Sequence, residues 1–408
     1  MTSANPQSIR VQRRAVVLLS LLSLCGAAWA FPNDTLPKTP SVSATSDFAE
    51  YSEAEPAPTG RLRVSRPVIA WKVTPGKNTQ ITGVVLRVDN GTVNAAYDVQ
   101  KQAVWYTPAQ AFAPGKHTVS CAVQLNGAAW IDRAWDFTVA PNASATPCAP
   151  SANQTAAANA VNAVRARLNL TPVTLDDRLC AAAQSHSVYL TRRSAIAHDE
   201  DAASPDFLAR DCGGRVAAFG YVGGCFEAIG QGSGDAPAAV ARLINAPYHR
   251  GAFLQPGTVA LGAGVASNTT TFVLGESGAD GITTYPAPNQ SDVPLAWDGQ
   301  ESPNPLRMHR QAGCGTLGYP ISLHLWAANS ATETQLSQVR AELFVDQTNK
   351  PVPAFVNSPD NDDFLTNTAF LIPQQPLRPA TVYRVVINAK TATGEPLRRE
   401  WRFTTAAK

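Results

Sequence analysis

Past its first thirty residues this chain has no apolar run approaching the ~20 residues that a membrane-spanning helix needs. It has no His-Glu-x-x-His, no Gly-x-Ser-x-Gly and no phosphate-binding loop, so the commonest signatures of metalloproteases, serine hydrolases and nucleotide-dependent enzymes are missing. It also has no lasting excess of charge. The formal net charge of +2 becomes −1 once residues 1–30 are set aside, because three arginines and no acids leave with them. A basic field suited to nucleic acid or an anionic membrane is therefore not expected.

Those thirty residues read as an export signal. Arg10, Arg13 and Arg14 precede an apolar run from Ala15 to Trp29, which ends in the small-x-small sequence Ala28-Trp29-Ala30. A lipid anchor would need a small residue before Cys25, where bulky Leu24 stands. The expected location is extracytoplasmic, with periplasm and full secretion left open. Of seven cysteines, six then remain: Cys121, Cys148, Cys180, Cys212, Cys225 and Cys314. An even number in an exported chain favours disulfides over reactive thiols. Cys212–Cys225 is the first expected pair, because the two lie close in a glycine-rich stretch; closing that loop would contribute ~3 kcal/mol.

The remaining length calls for two or three domains. Residues 31–60, rich in Pro, Ser, Thr and Glu, read as a flexible linker. Residues 61–140 read as short strands broken by Pro-Gly and Asn-Gly turns, closing on Ala134-Trp135-Asp136-Phe137-Thr138-Val139. A similar ending recurs at Trp401-Arg402-Phe403-Thr404, 266 residues after Trp135, with Pro373 and Pro379 answering Pro108 and Pro114. The two endings resemble bacterial immunoglobulin-like modules, which implies a β-sandwich at 61–140 and another at 290–408.

Between them the periodicity becomes helical. Helices are predicted over Thr155–Leu168, over Asp177–Arg193, and after Asp235 as N-cap with Pro237 in the first turn. Strands are predicted at 259–266 and 271–275, joined by Ser267-Asn268. Asn162-Ala163-Val164-Arg165, Leu179 through Ser187, His198, Phe226-Glu227-Ala228-Ile229, Asn245 through Arg250, and Leu261 through Val265 follow in an order that resembles the CAP superfamily. This is the group of cysteine-rich secretory, antigen 5 and pathogenesis-related 1 proteins, and the likeness is to its bacterial branch. The resemblance covers about Asn153 to Ser277, and the domain is expected at 153–280. It implies an α+β fold: a central three-layer α-β-α CAP sandwich flanked by the two immunoglobulin-like β-sandwiches.

The resemblance also implies a solvent-open cleft lined by two histidines and one or two acids, here His198, His249 and Glu227. Phe226 and Ala228 replace the family's usual glycine and asparagine beside the acid, Leu243 replaces a common tryptophan, and Ala246 stands where many eukaryotic relatives place a second acid. Two imidazoles and a carboxylate suffice in principle for a divalent cation such as zinc with an open position. His186 reads as a structural histidine on an apolar stripe, Asp199-Glu200-Asp201 as a solvated loop, and Arg250 as the partner of a carboxylate. Trp105 and Trp130 read as core or edge packing, and Cys225 as a bridged cysteine. The expected function is a non-enzymatic exported binding protein whose cleft holds a metal, a small apolar ligand or an envelope partner. The alternatives are a hydrolase using His198, Glu227 and His249 to activate water, and an envelope-associated adhesive protein.

Overall fold

A computed structural model describes residues 11–14, 49–232, 235–275, 279–309, 316–327 and 334–408. The chain divides into two compact units, one of Met1–Arg61 with Arg66–Pro141 and one of Leu62–Ser65 with Asn142–Lys408. Among the described residues no helix is long and apolar enough to cross a membrane.

The first unit is built from antiparallel strands. Ile69–Pro75 pairs on one side with Glu50–Glu53 and on the other with Ala103–Tyr106. A second sheet places Gly115–Leu125 between Ile81–Val88 and the long strand that begins at Ala129. Along Gly115–Leu125 the side chains of His117, Val119, Cys121, Val123 and Leu125 are buried and the residues between them are not, the period-two pattern of a strand with one face on a core.

Order begins earlier than the composition implies. Glu50–Glu53 lies inside the segment expected to be flexible, as does the bridge of Ala57 to Ala70. A strand takes its order from the hydrogen bonds of its neighbours, here Ile69–Pro75, so a segment poor in apolar residues can still be a strand. Val11–Arg14, within the expected export signal, pairs with Glu50–Glu53. Ala28-Trp29-Ala30 and Cys25 lie outside the described residues.

The second unit starts with helices whose ends are written in polar residues. Helix α1 (Ala152–Arg167) begins three residues before its predicted start, because Ser151 and Gln154 form a reciprocal capping box. Helix α2 (Asp177–Arg193) has the predicted bounds, with Asp176 accepting from Arg178 N and Leu179 N. Two shorter helices escaped the periodicity reading: α3 (Cys212–Ala218) and, after α4 (Ala236–Asn245, capped by Asp235), α5 (Arg250–Leu254). Five to seven residues are too few to show a helical period.

The sheet of this region runs Thr174–Leu175, Ala260–Ala266, Thr269–Gly275, Cys225–Gln231. Glycine decides how closely α2 approaches it. A Cβ on Gly262 would stand 2.1 Å from the Leu179 carbonyl carbon, and one on Gly264 2.2 Å from that of Ala183. The backbones thus meet where any larger residue would hold them apart. Gln184, Ser187 and Thr191 then bond to the backbone of Val265, Gly264 and Ala266, satisfying strand groups from the helix. Leu261 and Ala263, alternating with those glycines, join Val161, Val240 and Phe253 in an apolar cluster with α1, α4 and α5.

That cluster continues into the C-terminal strands through Leu323, Val385 and Phe403. The segments predicted as 153–280 and 290–408 therefore lie in one compact unit. The C-terminal strands form Gly281–Tyr285, Ile321–Trp326, Thr368–Pro373, Ala354–Asn357 in one sheet and Lys350–Val352, Ser337–Val345, Val382–Lys390, Pro396–Thr404 in another. The repeat seen in sequence is also a repeat of register. His117 faces Phe137 and Val119 faces Trp135, while Tyr383 faces Phe403 and Val385 faces Trp401. Each pair of the second hairpin is the first displaced by the same 266 positions as the Trp-x-Phe-Thr motif.

The cysteines depart from full pairing. Cys212 and Cys225 form a disulfide, whereas Cys121, Cys148 and Cys180 are free, and Cys314 lies outside the described residues. Cys121 and Cys180 are buried. Both act as small apolar residues, and burial raises the thiol of Cys180 to about 11 and that of Cys121 to about 12.

Candidate functional site

Glu227 sits in the strand Cys225–Gln231, opposite Val273, with 3% of its side chain exposed. A buried carboxylate needs donors, and it has them on both oxygens. Oε1 lies 2.9 Å from His198 Nδ1 and 3.6 Å from His186 Nε2. Oε2 accepts from an Arg215 NH2 group at 2.7 Å. Burial by itself would raise the carboxyl pKa, but the His198 hydrogen bond and the charges of Arg215 and His186 outweigh it, and the net shift is downward.

Arg215 reaches this position from α3, whose N-terminal residue Cys212 is bonded to Cys225 at the start of the Glu227 strand. Its other guanidinium nitrogen donates to Arg210 O at 3.0 Å. Around it the acidic run is split by role. Asp199 and Asp201 are exposed and pair with Arg210 and Arg193, as a solvated loop would. Glu200 is buried, bonded to His186 Nδ1 at 2.9 Å and to Leu208 N at 2.8 Å. A charge run read as uniformly solvated thus hides one inward-facing member. His186 is structural, as its place on the α2 stripe indicates: both ring nitrogens meet acceptors, Glu200 and the Ala197 carbonyl, and the ring stacks on Tyr189.

His198 differs in exposure. Its side chain is 57% exposed, and with Nδ1 held by Glu227 the opposite ring nitrogen, Nε2, is the edge left for other contacts. His249 repeats this arrangement with a different acid. It follows α4 and immediately precedes α5, with 19% of its side chain exposed and Nδ1 2.9 Å from Glu301 Oε1. The structure therefore brings His198 and Glu227 together and gives His249 to Glu301. Among the described residues no group of three or more His, Cys, Asp or Glu side chains is arranged to hold a metal ion. Ala246 is a buried C-cap of α4.

Tyr248 and Arg250, on either side of His249, anchor the turn. The Tyr248 hydroxyl bonds with Asp362 and Arg307, and Asn357 donates to Asp362 at 2.8 Å. Arg250 was expected to pair with a carboxylate, and among the described residues it meets none. It is fully buried, donates to the carbonyls of Ile244, Asn245 and Pro320, and lies over the rings of Tyr285 and Tyr319 at 5.0 and 5.5 Å. Carbonyl dipoles and aromatic faces can hold a guanidinium that has no acid in reach. Arg165 of α1 is treated the same way, donating to the carbonyls of Thr171, Phe253, Gln255 and Thr258.

Residues 158–275 match the family model described as CAP, the cysteine-rich secretory protein family. The chain carries a CAP domain. His198, Glu227 and His249 all fall within the matched segment of that domain, and Glu301 falls outside it. Among solved structures, the chain is similar to an extracellular protein containing an SCP domain from Bacillus anthracis str. Ames, at 16% identity over 58% of this chain and 67% of that one, with a TM-score of 0.29. It is also similar to PcoC, a methionine-rich copper resistance protein from Escherichia coli, at 19% identity over 31% of this chain and 99% of that one, with a TM-score of 0.20. The fibronectin(III)-like modules of Clostridium thermocellum CbhA align at 6% identity over 87% of this chain and 94% of that one, with a TM-score of 0.18. At these scores none of the three bears on function. No curated protein matches the chain.

Sequence reasoning missed Arg215, the inward role of Glu200, and Glu301. Glu301 had no signal to offer, since Asp298-Gly299-Gln300-Glu301-Ser302-Pro303 reads as an ordinary polar turn.

Proposed function

We propose that this is an exported, non-enzymatic binding protein whose CAP domain meets its ligand through His198 and His249, with a divalent cation such as zinc the ligand best suited to those donors. The observation that carries this reading is the exposed imidazole of His198 tied through Nδ1 to the buried carboxylate of Glu227. Histidines that bind metals commonly donate their second ring N–H to a carboxylate, which fixes the ring and strengthens the free nitrogen as a ligand. In this reading Glu227, with both oxygens already bonded, orients His198 and is not itself a ligand.

The hydrolase alternative fares less well on the same geometry. A general base works best with a pKa near the working pH. Glu227 is held below the ordinary carboxylate value and paired with Arg215, so it retains little basicity for activating water.

Calorimetric titration of zinc into the full chain, cleared of metal with a chelator, tests the proposal. Wild type is expected to bind and the His198→Ala/His249→Ala double variant to lose binding. Equal binding by the two proteins removes these histidines from the site.

A further inference from the structure

Glu301 lies in a turn between the CAP segment and the last strands, and its side chain is fully buried. One of its oxygens collects three donors from two consecutive residues. Tyr248 N donates to Oε1 at 2.8 Å, His249 N at 3.2 Å, and His249 Nδ1 lies at 2.9 Å. The other oxygen, Oε2, is buried with no hydrogen-bond partner among the described residues.

Burying a carboxylate is costly, and leaving one oxygen without a donor adds to that cost. The arrangement is thus an uneconomical way to close a turn, for which a neutral acceptor would serve. The backbone of the turn has independent restraints as well. Arg250 is clamped by three carbonyls, and the Tyr248 hydroxyl is held by Asp362 and Arg307. The rotation and tautomer of the His249 ring remain to be set, and the Glu301 carboxylate is what sets them.

We propose that Glu301 is a positioning residue for His249: it holds Nδ1 as the hydrogen-bond donor, so that Nε2 is the nitrogen offered to a ligand, and the binding site of the CAP domain is completed by a residue outside that domain. The proposal deepens the reading of His249 as a ligand-contacting residue and rests on it. It parallels the pairing of Glu227 with His198, but the acid comes from a segment beyond the family match.

Long-range proton–nitrogen NMR of the full chain at pH 8 reads the His249 tautomer directly, without any ligand. Wild type is expected to show Nδ1–H with a bare Nε2, and a wild-type ring protonated on Nε2 alone overturns the proposal whatever the variants do. In Glu301→Ala the ring is expected to move toward the Nε2–H form; in Glu301→Gln, whose amide oxygen still accepts, Nδ1–H is expected to be kept. An alanine variant that folds and leaves the tautomer unchanged also overturns it. Zinc titration of the same proteins is expected to show a loss of 10–100-fold in affinity for Glu301→Ala, the range usual for a lost outer partner. Wild type that binds no zinc yet shows the Nδ1–H tautomer, lost in the alanine variant, would refute the cation as ligand and leave the positioning role supported.

Discussion

Arg215 and Glu227 are joined twice, by a 2.7 Å ion pair between their side chains and by the disulfide that ties Cys212 of the Arg215 helix to Cys225 of the Glu227 strand. The covalent link brings the two elements together, and the ion pair then occupies the Glu227 oxygen that His198 does not use. The orientation of an exposed histidine thus depends on a buried arginine and, through it, on a pair of cysteines.

Removing Arg215 leaves Glu227 buried with its cationic partner gone. Arg215→Met is expected to destabilise the second unit by ~3–5 kcal/mol, the range for breaking one side of a buried pair. Denaturant titration measures it. The acid limb should also move. The folded Glu227 carboxyl lies below its ordinary value of 4.5, so the stability it contributes is present above pH 4.5 and is lost as pH falls below that through the folded value. In Arg215→Met, acid unfolding should begin at higher pH than in wild type.

Breaking the disulfide acts mainly on the unfolded chain. With a sequence separation of 13, the Cys212→Ser/Cys225→Ser variant is expected to lose ~3 kcal/mol. A reductant should reproduce the loss in wild type and have no further effect on the variant. Equal stability of the two proteins would show that the loop is already constrained by its packing.

His324 supplies a separate pH dependence. It is buried between Ser322 and Thr368, and burial, aided by the Arg250 charge, lowers its pKa from 6.5 to about 3. An unfolded histidine takes up a proton as pH falls through 6.5, whereas the folded one resists until about 3. Within that window the unfolded chain binds more protons, so stability falls with pH, by a few kcal/mol in all. Melting curves between pH 7 and 4 should show this slope in wild type and lose it in His324→Gln.

Gly264→Ala tests the close approach of α2 to the sheet. The added methyl would meet the backbone of Ala183 and Gln184 at 2.2 Å, so helix or strand must shift, at a cost of at least ~1–3 kcal/mol. Gly230→Ala is the control, since its methyl would make ordinary contacts of 3.6–3.7 Å with Leu243 and Ala239. Thermal melts in which the two variants lose equally would remove the close contact as the explanation.

Several features were legible in the residues because they are local. Asp235 caps its helix from the position read for it, and Ser267-Asn268 closes the hairpin between Ala260–Ala266 and Thr269–Gly275. The repeated Trp-x-Phe-Thr ending marked two strands, which the structure pairs in matching register. Helices α3 and α5 were not legible, being too short for a period. Arg250 was misread because buried carbonyls and tyrosine faces leave no mark near it in the chain.

What the sequence by itself determined is the three longer helices, the hairpin between Ala260–Ala266 and Thr269–Gly275 and the identity of the CAP segment, because capping, alternation and motif order act over a few residues and survive without knowledge of neighbours. What only the tertiary structure decided is which acid meets which histidine. His198 is joined to Glu227 across 29 positions and His249 to Glu301 across 52, and no local rule spans such distances. A buried carboxylate goes where folding leaves a donor and no water, and that place exists only once the strands and helices have packed.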